Sequence, residues 1–224
     1  MIKQNDNKIK KIKICGIKNQ KILNFLIKNS VDYFGLIFFK NSPRFIELEK
    51  AYKLIKISKN SKIEGVGVFV DSEIDMINQY IKKLELKYIQ LHGNEDYEYI
   101  KRIKKINKDI KIIKAIGVKT PKDIKKTKKF SNVDYFLFDY KPKIKKDLPG
   151  GNAKKFDWKI IKNLEISKGW FLSGGINEFN IKNALNIQNA YGLDISSGVE
   201  DKPGIKSIKK IKNIINFVKK YDEY

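Results

Sequence analysis

Short apolar runs alternate along this chain with longer stretches in which apolar residues recur every three or four positions. The short runs, at 9–15, 33–38, 63–70, 88–92, 110–116, 135–139, 170–173 and 192–195, have strand length and are rich in Ile, Val, Phe and Tyr, so they read as eight β-strands. Helical spacing fills the gaps. Ile77, Ile81 and Leu84 follow Asp75 on one face with charges opposite, and in 205–218 Ile208, Ile211, Ile214 and Ile215 form another apolar stripe. Regular β-then-α alternation predicts a parallel sheet, and eight such units in 224 residues predict closure into a single (β/α)8 TIM barrel. With no linker or composition break, 9–224 reads as one barrel domain behind a polar N-terminal extension, 1–8. The longest irregular segment, 141–155, holds Pro142, Pro149, Gly150 and Gly151 and reads as a long loop after the sixth strand, suited to a functional insertion.

A barrel of this type keeps its chemistry just past the C-terminal ends of its strands. Those positions hold Cys15 after strand one, Ser42-Pro43-Arg44 after two, Asp71 after three, His92-Gly93 after four and Asp139 after six. Strand seven ends in Ser173-Gly174-Gly175, and strand eight runs through Asp194 into Ser196-Ser197-Gly198. Loops after the seventh and eighth strands form the usual phosphate site of such barrels, because glycines let backbone N–H groups approach the oxygens. Gly174, Gly175, Ser196, Ser197 and Gly198 are the expected phosphate-binding residues.

Composition narrows the partners. Lys and Arg total 48 against 25 acidic residues, a net charge of +23 that invites a nucleic-acid reading. Only Arg44 and Arg102 are arginine, so 46 of the basic residues are lysines, spread through every predicted helix and loop. That distribution reads as a solvated surface, and no nucleic-acid partner is expected. A chain with so little arginine should keep it where a planar two-pronged donor is needed, and gripping a carboxylate is such a task. Arg44 stands at the predicted rim, whereas Arg102 sits in a lysine-rich amphipathic stretch. No run approaches the ~18 apolar residues that cross a bilayer, and 1–8 lacks the apolar core of a leader, so a soluble, cytoplasmic protein without membrane contact is expected. A single cysteine allows no internal disulfide, which agrees with a reducing compartment.

Seven segments, in order along nearly the whole chain, carry a resemblance. Lys13-Ile14-Cys15-Gly16-Ile17, Gly35-Leu36-Ile37-Phe38 leading into Ser42-Pro43-Arg44-Phe45, Gly67-Val68-Phe69-Val70, Gln90-Leu91-His92-Gly93, Phe156-Asp157-Trp158, Ser173-Gly174-Gly175-Ile176-Asn177 and Asp194-Ile195-Ser196-Ser197-Gly198-Val199-Glu200 resemble phosphoribosylanthranilate isomerase. The resemblance implies an intramolecular aldose–ketose isomerase of tryptophan biosynthesis that works on a (β/α)8 barrel without metal or organic cofactor. Its reaction is the Amadori rearrangement of N-(5-phosphoribosyl)anthranilate to 1-(2-carboxyphenylamino)-1-deoxyribulose 5-phosphate. It further implies Asp139 as the general acid that opens the ribose ring and Cys15 as the base that takes the C2 proton. Arg44 would grip the anthranilate carboxylate, and His92 and Asp194 would be further substrate contacts.

These roles make demands. An ordinary Asp pKa near ~3.9 leaves little acid at neutral pH, and a free thiol near ~8.5 is mostly protonated. Asp139 therefore needs burial or nearby negative charge, and Cys15 needs either a depressed pKa or loss of its proton during binding. The expected partner is one small phosphorylated substrate, and a monomer is expected, with a homodimer as the alternative. Where the family shows Gly-Gly-Thr-Gly after the sixth strand, this chain has Gly150-Gly151-Asn152-Ala153 followed by Lys154 and Lys155, a departure that bears on loop closure and turnover. Two other readings compete: another ribulose-phosphate barrel with a different acid/base pair, and a basic, non-catalytic binding protein on the same fold.

Overall fold

The computed structural model describes residues 11–142, 150–151, 155–162, 164, 166–187 and 189–222. The extension 1–8 and most of the loop 141–155 lie outside the described residues. Eight parallel strands close in chain order into a barrel: β1 (Lys11–Cys15), β2 (Tyr33–Ile37), β3 (Glu64–Phe69), β4 (Tyr88–Leu91), β5 (Lys111–Val118), β6 (Tyr135–Tyr140), β7 (Gly169–Leu172) and β8 (Gly192–Ile195). Among the described residues, strand ends agree with the sequence reading to within one or two residues. Closure pairs β1 with β2 through Cys15 and Gly35, and with β8 through Lys13 and Asp194, which sets the chemistry of the first strand beside that of the last.

Alternation along each strand builds two cores. Outward residues such as Ile14, Phe34, Leu36, Phe69, Ile89 and Trp170 meet the apolar stripes of the helices. Helix α1 (Gln20–Lys28) buries Ile22, Leu23 and Leu26 and is capped by Asn19, whose side chain accepts from the Ile22 amide at 3.0 Å. Helix α2 (Leu48–Ser58) buries Ala51, Leu54 and Ile55, and α3 (Ile74–Leu84) buries Ile74, Ile77, Ile81 and Leu84. Helix α4 (Tyr97–Ile106) buries Ile100 and Ile103 behind an Asp96 cap. Inside the barrel a smaller cluster of Tyr33, Val66, Ile113, Ala115, Leu137 and Phe171 packs with Tyr88, Tyr135 and Tyr191.

The helical layer thins after β5. Helix α5 (Pro121–Ile124) is one turn long and gives way to a 3-10 turn, Lys125–Lys129, whose sequence Lys-Lys-Thr-Lys-Lys offers no apolar stripe to bury. Helix α6 (Ile181–Leu185) is also short, and α7 (Ile208–Asp222) closes the ring with Ile211, Ile214, Ile215 and Val218 buried. The sequence pattern placed Ile205 on this last helix; instead it is exposed on a small antiparallel hairpin, β9 (Glu200–Lys202) and β10 (Ile205–Lys206), because Pro203-Gly204 turns the chain back first. That hairpin returns Lys206 over Glu200. Among the described residues no helix is long and apolar enough to cross a membrane.

Candidate active site

A cavity of about 710 Å³, open mouth included, lies at the C-terminal rim. Nine of the ten residues singled out from sequence line it: Cys15, Arg44, His92, Asp139, Gly174, Gly175, Asp194, Ser196 and Ser197. The tenth, Gly198, is not among the lining residues. Ile37, Phe39, Val68 and Val70 give the cavity an apolar side.

Cys15 is the last residue of β1 and faces Gly35 across the strand pair, where a Cβ would stand 2.5 Å from its sulfur. No residue larger than glycine leaves room for the thiol there. Two positions back on the same interior face is Lys13, fully buried, with Nζ 2.8 Å from Asp194 Oδ1. Burial pushes the Cys15 thiol up; the Lys13 charge pulls it down, Asp194 pushes it back up, Lys206 pulls it down again, and burial prevails. A lowered thiol pKa, one of the two routes to a thiolate, is thus not what this site provides, and the second route, loss of the proton during binding, is left.

Asp139 comes from β6 on a facing wall and is buried. Its Oδ1 accepts from the Tyr140 amide at 2.7 Å, and its Oδ2 lies 3.3 Å from His92 Nε2. His92 Nδ1 is 2.7 Å from Gln90 Nε2, so the Gln90 amide donates to Nδ1 and leaves the imidazole proton on Nε2, aimed at Asp139. Gln90 is buried, and its Oε1 finds no partner among the described residues. The loop that carries His92 is held from outside the barrel: Glu95 accepts from the Gly93 and Asp71 amides and from Lys114 Nζ at 2.8 Å. Gly150 closes over this pair, since a Cβ there would lie 2.7 Å from His92 Nε2 and 3.1 Å from Asp139 Oδ2.

Arg44 is 3% exposed and makes the two-pronged contact expected of it, but with the protein. Nε and Nη2 each donate to Glu200 at 2.8 Å, and Nη2 also reaches the Gly151 carbonyl at 3.2 Å. Nη1 meets no acceptor among the described residues and lies beside Gly151, within the cavity lining. Lys206 Nζ sits 2.7 Å from Glu200 Oε1. Burial alone would push the Glu200 carboxyl up, but the Arg44 hydrogen bonds and Lys206 hold it below the ordinary carboxylate range, so Glu200 is a carboxylate at neutral pH.

At the far side, Gly174 and Gly175 take φ values of +89° and +71°, a turn that side chains other than hydrogen resist. Among the described residues none accepts a hydrogen bond from the amides of Gly174, Gly175 or Ser197. Gly198 serves by absence: a Cβ would fall 1.8 Å from the Ile176 carbonyl oxygen, so it lets the loops after β7 and β8 touch. The result is a cluster of free backbone donors suited to an anion.

Sequence reading missed Lys13, Gln90, Glu200 as the partner of Arg44, and Lys206. Spacing could have found the first two, which share the inward face of their strands with Cys15 and His92. Buried lysines were hidden by the lysine content of the surface.

The family model described as N-(5'phosphoribosyl)anthranilate (PRA) isomerase matches residues 12–217. An N-(5'-phosphoribosyl)anthranilate isomerase of Rhizobium johnstonii is 38% identical over 210 residues, which cover 93% of this chain and 94% of the relative. A crystal structure of phosphoribosyl anthranilate isomerase from Thermotoga maritima superposes with a TM-score of 0.83 at 32% identity, covering 94% of this chain and 98% of that one. Another, a complex with reduced 1-(o-carboxyphenylamino)-1-deoxyribulose 5-phosphate, does so with a TM-score of 0.79 at 30% identity and the same coverage. On sequence, fold and the convergence of its rim residues, the chain belongs to the N-(5'-phosphoribosyl)anthranilate isomerase family.

Proposed function

We propose that this chain catalyses the reaction its family is named for, converting N-(5'-phosphoribosyl)anthranilate to 1-(2-carboxyphenylamino)-1-deoxyribulose 5-phosphate in tryptophan biosynthesis. The observation that carries this reading is the placement of Cys15 and Asp139 on facing walls of one cavity, between free backbone donors and an arginine. Asp139 gives its proton to the ribose ring oxygen, which becomes a hydroxyl as the ring opens to a Schiff base. Cys15, as thiolate, takes the C2 proton, and the electron pair left behind forms the enolamine. Return of a proton to C1 and loss of the O2 proton complete the ketone and leave the molecule an isomer of its substrate. His92, with its proton on Nε2, stabilises the Asp139 carboxylate once the proton has left.

The substrate's three recognisable parts find matching surroundings. The phosphate meets the amides of Gly174, Gly175 and Ser197 with Ser196 beside them, and the anthranilate ring meets Ile37, Phe39, Val68 and Val70. Nη1 of Arg44 is the free prong for the ring's carboxylate, with Glu200 fixing the guanidinium plane. Asp194 is spoken for by Lys13 through Oδ1, so it contacts the sugar only through its other oxygen. A monomer is the expected working unit, with a homodimer as the alternative. A base that oxidation would disable suits the reducing cytoplasm.

The test is turnover of Cys15→Ala and Asp139→Asn. Each is expected to lower kcat by about 10²- to 10⁴-fold, as for removal of a general acid or base, while affinity for a phosphorylated product analogue persists. Near-native turnover in either variant rejects the assigned pair.

A further inference from the structure

The odd strands contribute one inward layer to the barrel in which Val66, Ile113 and Phe171 are apolar and the β1 position is a lysine. Lys13 is 0% exposed, and its one carboxylate partner, Asp194, is buried with it. A buried ion pair contributes little to stability over an apolar pair of the same size, so stability alone does not account for a charge there. What the position does offer is a cation directly beneath Cys15, two residues along the same strand face.

Two buried ammonium groups lie on the Cys15 side of the cavity: Lys13, two residues back on the same strand face, and Lys206, bonded to Ser196, whose hydroxyl donates to the Cys15 carbonyl. Lys206 has its three N–H donors engaged, with Glu200 Oε1 at 2.7 Å, the Ser196 carbonyl at 3.0 Å and Ser196 Oγ at 3.4 Å. Lys13 spends one on Asp194 and, among the described residues, has two to spare. Other charges around the thiol are committed elsewhere: Arg44, packed over Gly16, to Glu200, and Asp139, on the far wall, beside His92.

We infer that Lys13 is a positioning residue for the base: its ammonium, shared between Asp194 and the Cys15 sulfur, is the cation against which the thiolate forms, and Asp194 regulates how much of that charge the sulfur receives. Asp194 is then chiefly the counter-ion of Lys13. The inference rests on Cys15 being the base. It predicts opposite signs for the two partners, since removing Lys13 withdraws the thiolate's support and removing Asp194 releases more of it.

Cys15 is the only cysteine in the chain, so iodoacetamide alkylation of the intact protein across pH reads this thiol alone. Lys13→Met should move the alkylation midpoint up by about one pH unit, a tenfold loss of thiolate at neutral pH, with kcat falling and KM nearly constant. Asp194→Asn should move the midpoint down, and Lys13→Arg should restore most of the native profile. Lys11→Met, on the same strand but paired with Asp32 at the other end, should leave it in place. If Lys13→Met does not fold, the double variant Lys13→Met/Asp194→Asn, which leaves no buried charge unpaired, should still titrate above wild type. Midpoints that coincide in wild type, Asp194→Asn and the double variant overturn the inference. Near-native turnover of Cys15→Ala would instead remove the base itself, and the thiol titration would remain readable beside it.

Discussion

At its N-terminal end the barrel interior is closed by Tyr33, Tyr88 and Tyr135 from β2, β4 and β6 and by Tyr191 at the start of β8, all packed under Phe171. Ring centroids stand 5.3 Å apart for Tyr33 and Tyr88, 5.0 Å for Tyr135 and Tyr191, and 5.3 Å for Phe171 and Tyr191. At the C-terminal end β4, β6 and β8 present His92, Asp139 and Asp194 and β1 presents Cys15, with Arg44, Glu200 and Lys206 beside them. In the lower layer Tyr33 Oη lies 3.1 Å from Tyr191 Oη, and the rings carry no charge. Formal charges fill the upper one, on side chains that are themselves buried. Both are largely shielded from solvent, with Tyr33 and Phe171 buried in the one and Cys15, Arg44, Asp139 and Asp194 in the other, so burial does not separate scaffold from site. What separates them is the kind of polar group: the upper layer gathers a thiol, carboxylates, an imidazole and cations, which can exchange or stabilise charge, and the lower one holds only phenols.

Two truncations of similar cost should divide along this line. Phe171→Ala opens a cavity in the lower layer and is expected to destabilise by about 3–5 kcal/mol with kcat and KM unchanged. Glu200→Ala strands Arg44 and Lys206 as unpaired buried cations and is also expected to cost about 3–5 kcal/mol, but with KM raised as the guanidinium loses its orientation. Urea midpoints and steady-state kinetics on the pair decide it. A Phe171→Ala protein with altered KM would break the separation of the two ends.

A smaller effect sharpens the upper half. Arg44→Lys keeps the charge but loses the planar fork, so it should weaken binding of the anthranilate portion by about 1–3 kcal/mol, seen in KM, and lower the unfolding midpoint by less than Glu200→Ala does, since a cation still faces Glu200. Competition by inorganic phosphate should not change, since the amides of Gly174, Gly175 and Ser197 do not depend on Arg44. Loss of phosphate competition would mean that Arg44 serves the wrong end of the substrate.

The fold was legible because its signals are local and repeated: each strand carries its own apolar run, and each long helix its own stripe. Legibility failed where the period failed. Lys125–Lys129 has no stripe and is a 3-10 turn, and Ile205, in phase with the last helix, belongs to the hairpin that Pro203-Gly204 forces. At the site, rim residues were legible through their position after strands. Their partners were not. Lys13 is one lysine among 46 and looks like the solvated ones, because a sequence records the residue and not the carboxylate 181 positions away that closes the pair. The same holds for Arg44, whose bidentate acceptor Glu200 lies 156 positions on. Contacts across barrel closure depend on register, which no local pattern fixes.

The mildest probe returns to the lower layer. Burial holds the Tyr33 phenol far above the ordinary tyrosine range, with the Tyr191 hydrogen bond adding to it, and burial with Tyr191 nearby pushes Tyr135 up to about 12. A group whose folded pKa exceeds its unfolded value of ~10 adds stability that is complete below that value and lost as pH rises towards the folded pKa. The tyrosine layer should therefore be indifferent to pH at and below neutrality, and should fail abruptly in alkali. Tyrosinate absorbance followed together with circular dichroism should show some of the eleven tyrosines silent until helical signal collapses. Tyr33→Phe should cost about 1 kcal/mol at neutral pH for the lost Oη pair, shift the alkaline collapse to higher pH, and leave kcat alone. Smooth ionisation of all eleven tyrosines before any unfolding would mean that the lower layer is wet, and the contrast between a neutral end and a charged end of one barrel would not hold.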